Sequence, residues 1–426
     1  MHATRAVQEV GAVLMGPWRD LALDLPRYHD SLAIGQPEPF LARLSSLPPV
    51  DPAGMDTLPD ATARLAALDV LMVDAVVRRH RLRLPVDVAG RLETARTVVA
   101  DRLGIRPILS YPLYIRANPL DPDKIRRFTP TDAELRFIRM HRLIEDTFEH
   151  VIETLDAVLG APEPAAALAG AFDGLGRDFR LANRTVAGFR SEDRIPRATF
   201  NEGFRPYFGS ILDPETGATI MEGPSGLQSP TFRTVAMLVG YRDPLLDGWT
   251  ERIGAYHEPA TREGLRRVRQ ARDGGRSLTS IADAILGPTA PLPHLHPGHG
   301  ADAPALLDLA RRGRFVSPGI EAELALHGLA LGQWPPGAPA PGPMPAVDAP
   351  PTLAAEDLSV LAWLAEIEAM FFGFHLEHVA TTAAQIGSVR GTGGTSGVEF
   401  LLLATFRRGF PRLWRSGLGA RLAGGL

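Results

Sequence analysis

Twenty residues near the end of the chain, HVATTAAQIGSVRGTGGTSG from His378 to Gly397, set a histidine fourteen positions ahead of Thr392, itself flanked by Gly391 and Gly393. An imidazole on a helix can coordinate iron through one ring nitrogen while the other meets an acceptor. Glycines let backbone N–H groups approach a ligand. The spacing suggests a haem ligand facing a substrate-binding loop. The same residues also fit a plainer reading, a structural or solvated helical histidine followed by a flexible helix end.

A second histidine needs explaining. From Thr131 the periodicity predicts a long helix running to Leu159, with Thr129-Pro130-Thr131-Asp132 supplying capping oxygens and a proline stop. Within it Phe137, His141, Ile144 and Phe148 share one face. A core stripe accounts for Phe148. A titratable ring such as His141 seldom sits on an apolar face without a partner or a role.

The elements that must position these residues read as all-α. Leu65, Leu68, Leu71, Met72 and Val76 predict an amphipathic helix over 60–80, and 88–103 reads similarly until Gly104-Ile105-Arg106-Pro107 breaks the pattern. Residues 1–105 are taken as a smaller helical portion and 106–426 as a large helical domain. Within the latter, 287–351 holds connectors rich in proline and glycine. One, 287–304, carries His294, His296 and His299 and reads as a solvated loop more readily than a metal site. The proline-dense run 333–351 reads as an exposed connector, with the His378 helix starting at about Leu353–Asp357. The basic stretch FRRGFPRLWRSGLGARL reads as a solvated terminal helix.

Composition removes many chemistries. The chain has 426 residues, 45% of them hydrophobic, enough for a large core. It contains no cysteine, which excludes disulfides, thiolate-ligated haem, iron–sulfur clusters, cysteine nucleophiles and covalent haem attachment through CxxCH. Lys124 is the only lysine, so a Walker A loop is absent. A formal charge of −4 gives no electrostatic reason to expect nucleic acid. The N-terminus lacks a convincing secretion signal and no apolar run reaches the eighteen or so residues needed to span a bilayer, so a cytoplasmic protein off the membrane is expected.

Four segments together resemble the tryptophan and indoleamine 2,3-dioxygenase superfamily. EIEAMFFGFHLEHVATTAAQIGSVRGTGGTSG, from Glu366 to Gly397, is similar without gaps to the pattern in which Glu-Ile-Asp leads by twelve residues into the proximal histidine and then to GTGGSSG. That register implies His378 as the iron ligand and puts His375 where the family usually has arginine. HLEHV also resembles the HLxxV around the ligand of indoleamine enzymes, which makes His375 the alternative ligand. FIRMHRLIED resembles FIxxHQxxEL of tryptophan dioxygenases, implying His141 as the distal histidine with Phe137 lining the pocket; indoleamine enzymes generally carry serine there. Residues 200–233 resemble both branches, implying a pocket role for Phe200, a carboxylate clamp in Arg205, and small residues Ser225 and Gly226 at the distal haem edge. LGIRPILSYPLYIRANPLDPDK resembles the indoleamine-branch segment in which Tyr111 and Tyr114 border the pocket, although both could equally be core aromatics. The likeness covers about residues 100–240 and 355–405.

The resemblance implies a helical protein holding non-covalent haem b, with O2 as co-substrate and an aromatic amino acid as substrate, opening the indole C2–C3 bond of L-tryptophan or a close analogue to an N-formylkynurenine. His141 would accept the indole N–H, Arg205 would grip the carboxylate and Thr392 with its loop amides would meet the amino-acid head group. His375, Asn201, Pro224 and Pro230 depart from the family pattern. They put substrate identity in doubt more than the cofactor. Relatives that run monooxygenation, peroxide-driven tyrosine hydroxylation or rearrangement in secondary metabolism, and a haem-based sensor or carrier, remain as alternatives. Oligomeric state is left open, a homo-oligomer included.

Overall fold

Capping residues, prolines and glycines divide the chain into helices whose apolar faces meet in one large core, with a small separate cluster at Ile108, Ile253 and Tyr256. The computed structural model describes residues 2–190, 195–240, 244–287, 298–326 and 352–386. Five α-helices come first: α1 (His2–Ala33), α2 (Glu38–Ser45), α3 (Pro52–Asp56), α4 (Asp60–Arg79) and α5 (Val86–Leu103). Helix α5 stops at Gly104, whose positive φ of 63° suits a residue without Cβ and completes the break expected at this point. Helix α4 departs from the one-sided stripe expected of it. Leu65 is only partly buried, whereas twelve other residues from Ala63 to Val76 are buried, because α1, α5 and two later turns cover it from several sides. Two aspartates are buried with it and paired: Asp69 with Arg126 at 2.7 Å and Asp74 with Arg78 at 2.8 Å.

The second set comprises α6 (Asp132–Gly160), α7 (Pro164–Gly188), α8 (Pro230–Val239), α9 (Pro244–Gly254), α10 (Pro259–Asp273), α11 (Leu278–Leu286), α12 (Gly298–Arg312), α13 (Ile320–Leu326) and α14 (Ala355–Ile386). Helix α6 matches the predicted span within a residue, but its start is held differently. Thr131 makes no side-chain cap. Instead the buried Glu134 carboxylate, at the third helical position, reaches back to the N–H groups of Phe128 (2.8 Å) and Thr129 (2.7 Å). Residues 298–304, expected in a loop, begin α12, whose Leu306, Leu307, Leu309 and Ala310 give it an apolar face to bury.

Helix α7 packs against both α6 and α14, and α12 and α13 close over α14. The buried cluster runs from Trp18 to Ala383, crossing residue 105 without interruption. Two π-helical turns, Pro112–Ala117 and Thr199–Phe204, break the regularity, the second continuing into a 3₁₀ turn, Arg205–Phe208. A short antiparallel hairpin, β1 (Ile211–Leu212) and β2 (Thr219–Met221), follows. One correction concerns α14: its residues Ala355–Gln385 are long and apolar enough to cross a membrane by length and composition, contrary to the sequence expectation. That window is 72% buried within the fold, as a core helix would be.

Candidate functional site

Helix α6 presents His141 from a wall of aromatic rings. Phe137 lies 4.1 Å away between centroids, Phe189 4.7 Å and Tyr111 5.8 Å. Phe137 in turn meets Phe200 (5.7 Å), Phe204 (5.2 Å) and Phe208 (6.2 Å). Thus α6, the residue capping α7 and both π-helical regions converge on the adjacent rings of His141 and Phe137. Such π turns are rare and recur at functional sites, where they re-aim side chains.

The tautomer of His141 follows from its bonding. Nδ1 lies 2.9 Å from the carbonyl of Phe137, which can only accept, so Nδ1 carries the proton. Burial, opposed by the Phe137 bond and helped by the neighbouring His378, lowers the ring's pKa to about 4. At neutral pH the ring is therefore uncharged and its Nε2 is an acceptor. Although surrounded by protein, His141 and Phe137 retain partial exposure.

His378 faces the same region from α14. It is partly exposed, with Phe374 at 6.2 Å, and it stands near enough to His141 to contribute to the lowering of that ring's pKa. His375, one turn earlier, is sealed: its ring is boxed by Phe371 (4.6 Å), Phe232 (5.4 Å) and Phe374 (5.9 Å), and Nδ1 lies 2.6 Å from the Phe371 carbonyl. Phe148 is core, buried against Phe179, Phe232 and Phe374. Among the described residues no three His, Cys, Asp or Glu gather to hold a metal ion.

Arg205 opens the 3₁₀ turn directly after Phe204 and is partly buried, which lowers its pKa from the ordinary arginine value. Its turn is fixed through Tyr207, stacked on Phe128 at 4.3 Å, whose hydroxyl meets Nδ1 of His29 (3.2 Å) and Nε2 of His80 (3.1 Å). Ser225 accepts from the N–H of Leu227 and starts a short 3₁₀ turn, and Gly226 has open space where a Cβ would stand. Gln228, buried two residues on, accepts from the N–H of Tyr111 at 2.9 Å and so ties this loop to the His141 wall.

The two tyrosines separate. Tyr111 edges His141 and donates its hydroxyl to Glu145 at 3.0 Å. Tyr114 is buried in the core, its hydroxyl given to Glu134 at 2.5 Å and its ring between Phe128 and Phe208. Burial beside these carboxylates pushes both phenols well above the ordinary tyrosine pKa. Thr392, Gly391 and Gly393 lie outside the described residues, as do His294, His296, the connector 333–351 and the basic tail.

Sequence reasoning missed Glu145, Gln228, Phe189 and Arg190. Of these only Glu145 left a trace, a carboxylate four residues after His141 on the same helical face. The others lie 48 to 87 residues beyond His141 in the chain, and no local pattern joins them. No protein-family model matches the chain, and no curated protein matches it either.

Proposed function

We propose that this chain binds haem b without covalent attachment and oxygenates the ring of an aromatic amino acid, first among them L-tryptophan or a close analogue. The observation that carries the reading is the pairing of His378 with a neutral, acceptor-form His141 inside an aromatic wall. A flat apolar macrocycle held by a nitrogen donor suits such surroundings: His378 would hold the iron, and Phe374 would flank it. When bound, the haem would supply oxygen binding and transfer to an electron-rich ring.

The protein's own part is placement. Nε2 of His141 would accept an N–H from the substrate ring, which fixes its orientation without moving a proton at neutral pH. Phe137, Phe200 and Tyr111 would enclose the ring and exclude water. Arg205 would take the carboxylate through its planar fork, a bond strengthened where burial has already removed part of its hydration. Gly226 would leave the edge open for a substrate atom. Orientation of this kind can be worth roughly 7–11 kcal/mol at the limit of well-placed reactants.

The test is reconstitution of the purified full chain with haem, followed by L-tryptophan and reductant under air. A Soret band and a product two oxygen atoms heavier, with the N-formylkynurenine chromophore, are expected. A gain of one oxygen atom, or turnover only with peroxide or a modified tyrosine, would move the assignment to a monooxygenase or peroxygenase. Oxygen binding indifferent to every aromatic amino acid would make the protein a sensor or carrier. Failure to take up haem ends the proposal.

A further inference from the structure

We infer that the buried ion pair of Arg190 and Glu377 is a positioning device that fixes His378 opposite His141, an inference that rests on the haem reading above. Glu377 immediately precedes His378, and Arg190 immediately follows Phe189, whose ring edges His141 at 4.7 Å. One contact therefore joins the two backbone segments that support the two imidazoles. Nη1 of Arg190 lies 2.5 Å from Oε2 of Glu377, with side-chain exposures of 13% and 1%. The other carboxylate oxygen accepts the backbone N–H of Ser317, between α12 and α13, and Nη2 of Arg190 donates to the Ser317 hydroxyl at 2.7 Å. Both oxygens are thus used, and three chain segments meet at one carboxylate.

The contact continues along one stripe of α14. Thr381 donates its hydroxyl to the carbonyl of Val186 at 3.0 Å, and Nε2 of Gln385 donates to the carbonyl of Phe189 at 2.8 Å. Residues 377, 381 and 385 recur every four positions, so a single face of α14 is bonded to the end of α7, and His378 lies about 100° round the helix from it. Cohesion alone does not require this chemistry, because a buried ion pair is commonly matched in stability by apolar side chains of similar volume. What charge adds is direction. If α14 rotated or slid, a buried charge would be left uncompensated, so the register of the turn carrying His378 is defined within narrow limits.

Three full-length proteins decide it: wild type, Glu377→Gln, and the double variant Arg190→Leu/Glu377→Leu, which replaces the pair with apolar bulk. Each is measured for urea unfolding without haem, for the ferric and ferrous haem spectra, and for the rate of haem transfer to a scavenging globin. The expected result is that the double variant keeps the wild-type urea midpoint yet, like Glu377→Gln, loses haem about tenfold faster with an altered axial-ligand spectrum. A double variant with wild-type spectrum and haem-loss rate would reduce the pair to packing and overturn the inference while leaving the haem reading intact. If the double variant does not fold, Glu377→Gln decides by the same two outcomes. If wild type takes up no haem, the reading itself fails and the inference falls with it.

Discussion

His141 and His375 are local twins with different surroundings. Each sits in a long helix, each bonds Nδ1 to the carbonyl four residues earlier (2.9 and 2.6 Å), and each is edged by phenylalanines. Yet His141 is only partly buried, whereas His375 is 3% exposed within a box of Phe232, Phe371 and Phe374. Helical geometry sets the tautomer. Which ring can meet a ligand is set by the neighbours brought from elsewhere in the chain.

The sharpest way to break this contrast is to exchange ligand candidates. His378→Ala should abolish the Soret band of reconstituted protein, while His375→Phe, which only extends an aromatic box, should retain it. Absorption titration with haem checks both, and the opposite pattern would make His375 the ligand.

Acid sharpens the contrast next. Burial holds His141 near a pKa of about 4 against an ordinary 6.5, so the unfolded chain takes up this proton first as pH falls. The associated stability is complete above pH 6.5 and is lost progressively as pH drops toward about 4, by roughly 3 kcal/mol over that window. Urea midpoints of His141→Gln should therefore decline less between those two pH values than wild type does. His257, likewise lowered to about 4 by burial and then by Arg233, Arg262 and Arg116, is common to both proteins. Parallel curves would show that His141 is not buried neutral.

The sealed side has its own test. Gly373 lets α14 approach the Phe315 carbonyl, and a Cβ there would stand 2.5 Å from that oxygen. Gly373→Ala should cost about 1–3 kcal/mol by denaturant titration. An unchanged midpoint would mean that α14 does not sit this close. The smallest effect expected is that of Tyr111→Phe beside His141, which removes the hydroxyl that Glu145 accepts and should cost about 1 kcal/mol. A neutral result would show that Glu145 finds another donor.

Much of this was legible in advance, and for definite reasons. Helix α6 and the end of α5 are written in local periodicity and in Gly104, and His141 stood out because a titratable ring interrupts an apolar stripe. Tyr111 and Tyr114 could not be told apart, since both lie at one π-helical turn and only their partners, Glu145 and Glu134, distinguish wall from core. The register of the resemblance puts His378 ahead of His375 as the ligand, but what lies opposite each ring is outside any local pattern.

From sequence alone came the all-helical class, the absence of any thiolate chemistry and the set of histidines from which a site can be built. These depend on residue type and short-range spacing. Tertiary structure decided which histidine is walled in, which one stands near His141, and that Arg190 reaches Glu377 across 187 residues. Such contacts obey packing and desolvation, whose energies depend on segments that no local window contains.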